Sequence, residues 1–345
     1  MKKYRIGIVG ATGAVGLEII KLLEQREFQV SELRLLASSK SVGKEMEAFG
    51  NIEKIQETKN DSFEDLDFAI FSAGSDQTLE FAPIAREHGC VVIDNSSAFR
   101  MDKTVPLVIP EINEDSLEQH KGIIANPNCS TAITLMGLHP LHQRFGLKRF
   151  FASTYQAVSG AGKTGLDTLE NEIRVSLGLP SEHSNTVNSP FPHPIAHNLI
   201  PHIDVFREDG YTKEEIKMKN ESRKILSMPS LAVSCTCVRV PVIRSHSISI
   251  NAEFKESVNL PDAREAIQSF EGVELIDEPK ENMYPTPILL SEKDYCAVGR
   301  LRLDQGFENG ISLWVAGDQL WKGAALNAIQ IAESLIKRDL LSFTF

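Results

Sequence analysis

The sequence predicts an α/β protein: a doubly wound parallel sheet in its first third, then a larger mixed α+β region. Three observations carry this reading. Short apolar runs alternate with amphipathic helical patterns in the first third, a glycine-rich turn separates the first run from the first helical pattern, and past Phe145 the β-rich segments lengthen.

The first-third strands are expected at Tyr4–Val9, Leu33–Ala37, Phe68–Ser72, Val91–Asp94, Leu107–Ile109 and Ile123–Ala125, with helices over Leu17–Glu24 and Thr78–His88. Strand–helix–strand alternation implies parallel strands joined by crossover helices. Asn126–Thr131 breaks the pattern. Ala132–Phe145 reads as a buried helix, with Ser130 or Thr131 available to cap its start. Beyond it come a strand over Phe150–Val158 and a helix over Lys163–Leu177. Pro180–Pro201 is a proline-punctuated stretch that cannot be regular structure, and Lys213–Leu226 is a charged helix. Ala232–Val242, Ser247–Phe254 and Gly310–Val315 predict a mixed or antiparallel sheet with helices on one side, and Ala324–Ile336 is amphipathic. The expected division is residues 1–128 and 129–319, with the tail from 320 to 345 packing back on the first domain.

The 345 residues are 42% hydrophobic and 24% charged, enough apolar content for two cores. The formal net charge of −11 weighs against binding nucleic acid or an anionic membrane, so an anionic substrate must be held by specific Arg and Lys residues. Five cysteines, an odd number without a CxxC pair, argue against a disulfide framework or a structural zinc site. His193, His197 and His202 are spaced too irregularly to suggest a metal, and none is expected. The opening MKKYRIGIVGATG resembles a secretory signal until Gly10, Gly13 and Gly16 interrupt it, and no run is long enough to span a bilayer. A cytoplasmic protein with reduced thiols is expected.

Gly10-Ala11-Thr12-Gly13-Ala14-Val15-Gly16 follows a strand and opens a helix. Such a turn lets backbone N–H groups approach a pyrophosphate with the positive helix end behind them, the Rossmann-type arrangement. The spacing is GxxGxxG rather than GxGxxG, and a ligand-free βα turn is the plain alternative. The second strand ends in Ala37-Ser38-Ser39-Lys40, without the carboxylate that would bind the ribose hydroxyls of NAD; Glu32 stands before the strand. Two hydroxyls and a cation suit a 2′-phosphate, so NADP is the expected cofactor, against the alternative of a solvated turn.

Cys129 stands where an apolar strand has ended and a helix begins. Positive potential at a helix N-terminus lowers a thiol's pKa and favours the nucleophilic thiolate. Asn128 beside it is placed to donate a hydrogen bond to an oxyanion. Cys90, Cys235, Cys237 and Cys296 read as small core residues.

The chain resembles the aspartate-semialdehyde dehydrogenases over nearly its whole length. The resemblance lies in GATGAVG at 10–16, DNSSAFR at 94–100, NPNCST at 126–131, QAVSGAGK at 156–163, FPHPIAHNLIPHID at 191–204, CVRVPVIRSHS at 237–247 and VAGDQLWKGAA at 315–325. It implies Cys129 as the acyl-forming nucleophile, Gln156 as the residue orienting substrate and intermediate, and His246 as the general acid/base. It implies Arg239 on the substrate carboxylate, Glu221 on its amino group, and Arg100 and Lys224 on phosphate, with Lys217 as a substitute for Lys224. Gly10, Thr12, Gly13, Ala14, Val15, Ser38, Ser39, Ser159, Gly160 and Gln319 match cofactor-binding positions. On charge alone, Glu221 and Lys224 also read as a solvated i,i+3 ion pair.

The implied reaction interconverts L-aspartate 4-semialdehyde, phosphate and NADP with 4-phospho-L-aspartate and NADPH through a Cys129 thioester. Its implied place is in the biosynthesis of diaminopimelate and lysine, threonine, methionine and isoleucine, and the implied assembly is a homodimer or homotetramer, with residues 129–319 serving catalysis and dimerisation. Three alternatives stand beside it: an N-acetyl-γ-glutamyl-phosphate reductase-like enzyme, a cysteine hydrolase or acyltransferase using Cys129 and His246 without a nicotinamide, and a noncatalytic dinucleotide sensor.

Overall fold

The computed structural model describes residues 2–180 and 189–343, in two compact units. Met1–Asn128, Lys224–Ser227 and Ala324–Phe345 form the first; Cys129–Arg223 and Met228–Gly323 form the second. Positions 181–188 of the Pro180–Pro201 stretch and 344–345 of the tail lie outside the described residues.

The first unit is built on a parallel six-stranded sheet. Its strands are β1 (Tyr4–Val9), β2 (Val30–Ala37), β5 (Gln56–Glu57), β6 (Phe68–Phe71), β7 (Val91–Asp94) and β8 (Ile123–Ala125), in the order β5-β2-β1-β6-β7-β8. β6 and β7 are buried at every position, as strands covered on both faces must be, which is why they read as unbroken apolar runs. α1 (Ala14–Gln25) follows β1, and α2 (Ser75–Glu87) follows β6. From β1 the chain first builds outward to β2 and then returns to β6 on the other side, so the strand order reverses at the carboxyl end of β1.

The antiparallel hairpin β3 (Glu45–Ala48) and β4 (Asn51–Lys54) was not expected from sequence. Its two turn residues, Phe49 and Gly50, both have positive φ, at 51° and 71°, the type I′ requirement met by an unusual Phe-Gly pair. Leu107–Ile109 is a correction: Leu107 makes only an isolated parallel bridge to Ala125. Pro106 lacks an N–H, and Pro110 opens the short helix α3 (Pro110–Asn113), so no ladder extends in either direction.

The chain's last helix, Leu326–Lys337, packs against α1, α3 and β7. Leu326, Ile329, Ala332 and Leu335 are buried on it, and Arg26 grips Glu333 with two parallel bonds of 2.7 and 2.8 Å.

The second unit holds a mixed six-stranded sheet: β9 (Leu147–Gln156), β10 (Ala232–Arg239), β11 (His246–Phe254), β12 (Val273–Leu275), β13 (Cys296–Leu303) and β14 (Gly310–Gly317), in the order β10-β9-β11-β14-β13-β12. β9 pairs in parallel with β10 and β12 with β13, while β11 runs antiparallel to both β9 and β14. α4 (Cys129–Phe145) lies against β9, β11, β13 and β14. It is apolar on nearly every side, and all residues from Ser130 to Leu141 are buried. α4 begins at Cys129, so Ser130 and Thr131 sit inside its first turn rather than capping it.

α5 (Gly162–Ser176) and α6 (Lys213–Ile225) come between β9 and β10. β12, β13 and α7 (Leu260–Gln268) were not expected. α7 is capped by Asn259, whose Oδ1 accepts the Asp262 N–H at 2.9 Å, while β13 is disguised by Gly299, Arg300 and Arg302 within its apolar run.

Candidate active site

The register of the second sheet brings three chemical groups to one end. Gln156 closes β9 and is the register partner of Arg239, which closes β10. His246 opens β11, running the opposite way, and is the register partner of Gly317 at the end of β14. Residues 157, 240 and 245, scattered in sequence, therefore all leave the sheet at the same edge.

Arg239 is buried. Its Nη1 donates to the Ala157 carbonyl at 2.7 Å, and its guanidinium carbon lies 5.9 Å from the Phe191 ring centre. Burial lowers its pKa, while the nearby Glu214 carboxylate, then the Cys129 and Cys237 sulfurs, oppose that. A guanidinium stays charged even so, and its burial calls for an anion.

His246 is fully buried. Its Nδ1 accepts the Ala157 N–H at 3.0 Å, and Nε2 has no partner. That bond assigns the neutral ring's proton to Nε2. Burial, and then the Arg239 charge, hold its pKa well below 6.5, so the imidazole is neutral at physiological pH.

Gln156 is fixed from both sides: Oε1 accepts the Thr154 hydroxyl at 2.9 Å, and Nε2 donates to Glu214 Oε1 at 3.3 Å. Glu214 was missed from sequence. It stands in the first turn of α6, and its other oxygen accepts from Lys217 Nζ at 3.3 Å, which also donates to Asp204 at 2.7 Å. Burial opposes the Lys217 charge, yet Glu214 and Asp204 outweigh it and hold the pKa above its usual value.

The other charged pair on α6 is placed differently. Lys224 Nζ donates to the carbonyls of Arg100, Asp102 and Val105 at 2.8, 2.6 and 2.7 Å, which occupies all three of its hydrogens. Glu221 is buried. Glu214–Lys217 and Glu221–Lys224 have the same i,i+3 spacing and stand seven residues apart, two turns along one face. Helical periodicity therefore cannot choose between them. Glu214, as a first-turn acid, was the only additional signal.

Cys129 begins α4 and is half-buried, whereas the other four cysteines are buried. Burial pushes Cys235 up to about 12 and raises Cys90 and Cys237 as well. Gly323 packs on Cys129: a Cβ there would stand 2.7 Å from the Cys129 Cβ. A Cβ on Gly160 would stand 2.8 Å from Arg239 Nη1 and 3.5 Å from His246 Nε2. Gln319 Oε1 accepts the Ser245 N–H at 2.6 Å, and its Nε2 donates to Ser159 Oγ at 2.5 Å. His197 bonds Ser176, and His202 stacks on Phe206 at 4.3 Å.

In the first unit, the glycine turn passes a test of fit for a dinucleotide. Gly10 has φ +84°, and a Cβ on Gly16 would fall 2.4 Å from the Gly10 carbonyl oxygen, so both positions exclude side chains. Thr12 and Gly13 are exposed, Ala14 and Val15 begin α1, and no side chain caps the helix start. The Gly10 and Ala11 N–H groups donate to the Leu36 carbonyl and that of Gly13 to the Gly10 carbonyl, so an anion here would be held by the uncapped first turn of α1. Ser38, Ser39 and Lys40 are exposed just past β2, with no acid among them. Arg100 is buried, its Nε on the Asn126 carbonyl at 2.8 Å and Nη2 on the Asn95 carbonyl at 2.7 Å; Asn128 is buried too. Among the described residues, no helix is long and apolar enough to cross a membrane.

A nucleotide-type parallel sheet joined in one chain to a mixed sheet bearing a half-buried helix-start cysteine defines a semialdehyde dehydrogenase. Residues 5–120 match the family model for the semialdehyde dehydrogenase NAD binding domain, and residues 138–322 that for the semialdehyde dehydrogenase dimerisation domain. The chain belongs to the aspartate-semialdehyde dehydrogenase family. It is 47% identical to the aspartate-semialdehyde dehydrogenase of Aquifex aeolicus over 98% of this chain and 99% of that one, and 43% identical to that of Bacillus subtilis over 97% and 98%. The crystal structure of aspartate semialdehyde dehydrogenase II from Vibrio cholerae superposes with a TM-score of 0.92 at 41% identity, covering 97% of this chain and 99% of that one. The same enzyme complexed with ASA also gives 0.92, at 41% identity and 98% and 99% coverage.

Proposed function

We propose that the chain interconverts L-aspartate 4-semialdehyde and phosphate with 4-phospho-L-aspartate, using NADP and a Cys129 thioester, as a homodimeric cytoplasmic enzyme of amino-acid biosynthesis. The observation that carries this reading is the convergence of Gln156, Arg239 and His246 on one sheet edge, with the Cys129 sulfur close enough to act on the Arg239 charge.

The Cys129 thiolate attacks the aldehyde carbon, and the carbonyl electron pair moves to oxygen. The neutral His246 shares its Nε2 proton with that oxyanion and takes it back as the carbonyl re-forms; Asn128 is a second donor. NADP supplies the two-electron oxidation, by accepting a hydride. Phosphate oxygen then attacks the thioester carbon, and the Cys129 thiolate leaves. In the biosynthetic direction the same bonds break and form in reverse.

Arg239 holds the substrate carboxylate in its planar fork, and Gln156, pinned by Thr154 and Glu214, orients the chain of the substrate. We assign the substrate ammonium to Glu214 rather than Glu221. We assign a phosphate contact to Lys217 rather than Lys224, whose hydrogens are occupied by backbone carbonyls. Arg100 keeps its phosphate role on family resemblance, as Ser159, Gly160 and Gln319 keep theirs toward the cofactor. The exposed Ser38, Ser39 and Lys40 support NADP over NAD, because an acid there would repel a 2′-phosphate.

The test is NADPH formation from L-aspartate 4-semialdehyde with and without phosphate. A phosphate-dependent rate is expected, with little from N-acetylglutamate semialdehyde. No reduction of NADP under any of these conditions would sink the reading.

A further inference from the structure

Asp318 and Arg244 belong to segments that flank the reacting groups, and neither has a role in the reaction proposed above. Asp318 follows Gly317, the register partner of His246, and Arg244 stands two residues before His246. The Asp318 carboxylate is fully buried. Its Oδ2 accepts from Arg244 Nε and from the Glu292 N–H, both at 2.7 Å, and its Oδ1 accepts the N–H groups of Leu320 and Trp321 at 2.9 and 3.2 Å. Its backbone carbonyl accepts the Gly323 N–H at 3.1 Å, closing a π-turn over Trp321–Ala325. Gly323 is the residue that rests on Cys129.

Two residues held by this cluster have left-handed backbones that side-chain-bearing residues rarely adopt. Ser245, immediately before His246, has φ 73°, and its N–H is captured by Gln319; Glu292 has φ 59°, and its N–H is captured by Asp318. Such conformations persist only where the surroundings over-determine them, and they gather at functional sites. The Arg244 guanidinium also lies 5.9 Å from the centre of the Trp321 ring, tying the loop before His246 to the turn on Cys129 a second time.

We propose that the Arg244–Asp318 pair is a positioning strut for the reaction, setting the approach of His246 on one side and the seat of the Cys129 thiol on the other. It acts through those two residues and touches neither substrate nor cofactor. A π-turn is the economical way to do this: its extra residue lets the chain from β14 bulge onto the start of α4 at a glycine. The strut rests on the proposed reading of Cys129 and His246 as reacting groups.

The experiment compares Asp318→Asn and Arg244→Gln with the parent enzyme. Asparagine is nearly isosteric but turns an N–H₂ toward donors that a carboxylate accepts. We expect kcat to fall roughly 10- to 100-fold, the scale of a misplacement near 1 Å, with KM for L-aspartate 4-semialdehyde changed by less than about threefold. The rate of Cys129 alkylation by iodoacetamide, followed against pH by mass spectrometry, should change its profile in both variants. Arg244→Lys, keeping the charge, should recover part of the loss. Should Asp318→Asn not fold, Arg244→Gln decides alone. A folded variant with kcat within about twofold of the parent, or an unchanged alkylation profile, overturns the strut. The alkylation profile needs no substrate, so it separates this failure from a failure of the proposed reaction, which the parent's own rate reports.

Discussion

One peptide group joins His246 to Arg239: the Ala157 N–H donates to Nδ1 of the imidazole at 3.0 Å, and the Ala157 carbonyl accepts from Nη1 of the guanidinium at 2.7 Å. The guanidinium and the imidazole are thereby indexed to the two ends of one stretch of backbone, the N–H and the carbonyl of Ala157. The bond to Nδ1 keeps the Nε2 proton in place, and protonating Nδ1 would cost that bond. His246→Gln, which keeps a donor, should therefore retain more activity than His246→Ala, with the latter roughly 10²- to 10⁴-fold down in kcat. Since burial holds the His246 pKa well below 6.5, kcat should show no His246-dependent limb centred near that value. Such a limb, lost in His246→Gln, would contradict the lowered pKa of the buried ring.

Thiol chemistry should be selective. Cys129 is the half-buried cysteine, and the remaining four are buried. Brief carboxamidomethylation of the folded protein should label Cys129 first and remove activity in proportion, and Cys129→Ser should lose turnover while still binding NADP. Labelling spread evenly over five positions would count against a reactive helix-start thiol.

The two lysines of α6 should separate by readout. Lys217→Met should raise KM for phosphate at least about tenfold, the scale of one lost charge-assisted contact of ~1.5 kcal/mol, beyond any loss of stability from unpairing Glu214 and Asp204. Lys224→Met leaves three carbonyl acceptors without their donor and should cost about 2–4 kcal/mol of stability in urea unfolding. The reverse pattern would return the phosphate role to Lys224.

Gly160 tests space alone, because no left-handed backbone angle forbids a side chain there. A methyl at this position would press on Arg239 Nη1, which Ala157 already holds. Gly160→Ala should fold normally and raise KM for the semialdehyde by an order of magnitude or more, about 1.4 kcal/mol of lost binding. Unchanged KM would show that the substrate carboxylate lies elsewhere.

Acid sensitivity should come partly from His139. Burial, then His142, hold its pKa down to about 4, so between pH 6.5 and 4 the unfolded chain takes up a proton that the folded chain refuses. Stability from this group is complete above pH 6.5, falls as pH drops toward 4, and then levels off. His139→Leu should flatten the decline in melting temperature over that interval; an unaltered slope would assign the acid sensitivity to other groups.

The periodic features were the legible ones. Apolar runs separated by helical patterns read as a parallel sheet because both faces of β6 and β7 are covered. The glycine turn was legible because its glycines are forced by geometry, Gly16 lying against the Gly10 carbonyl. The β3–β4 hairpin and β13 were not legible, since exposed polar strands and Arg-interrupted runs carry no clean period, whereas α7 did carry a local signal in its Asn259 cap and the proline behind it.

By itself the sequence determined which segments alternate, where backbone must bend without a side chain, and that Cys129 stands beside a helix start in an unusual setting. Only the tertiary structure decided that Gln156, Arg239 and His246 share an edge, because strand register is a pairing between distant segments that no local pattern encodes. It also decided that Glu214 meets Gln156 and Lys217, while Lys224 donates to three backbone carbonyls. Two pairs seven residues apart look alike to the helix that carries them, and only what packs against each turn tells them apart.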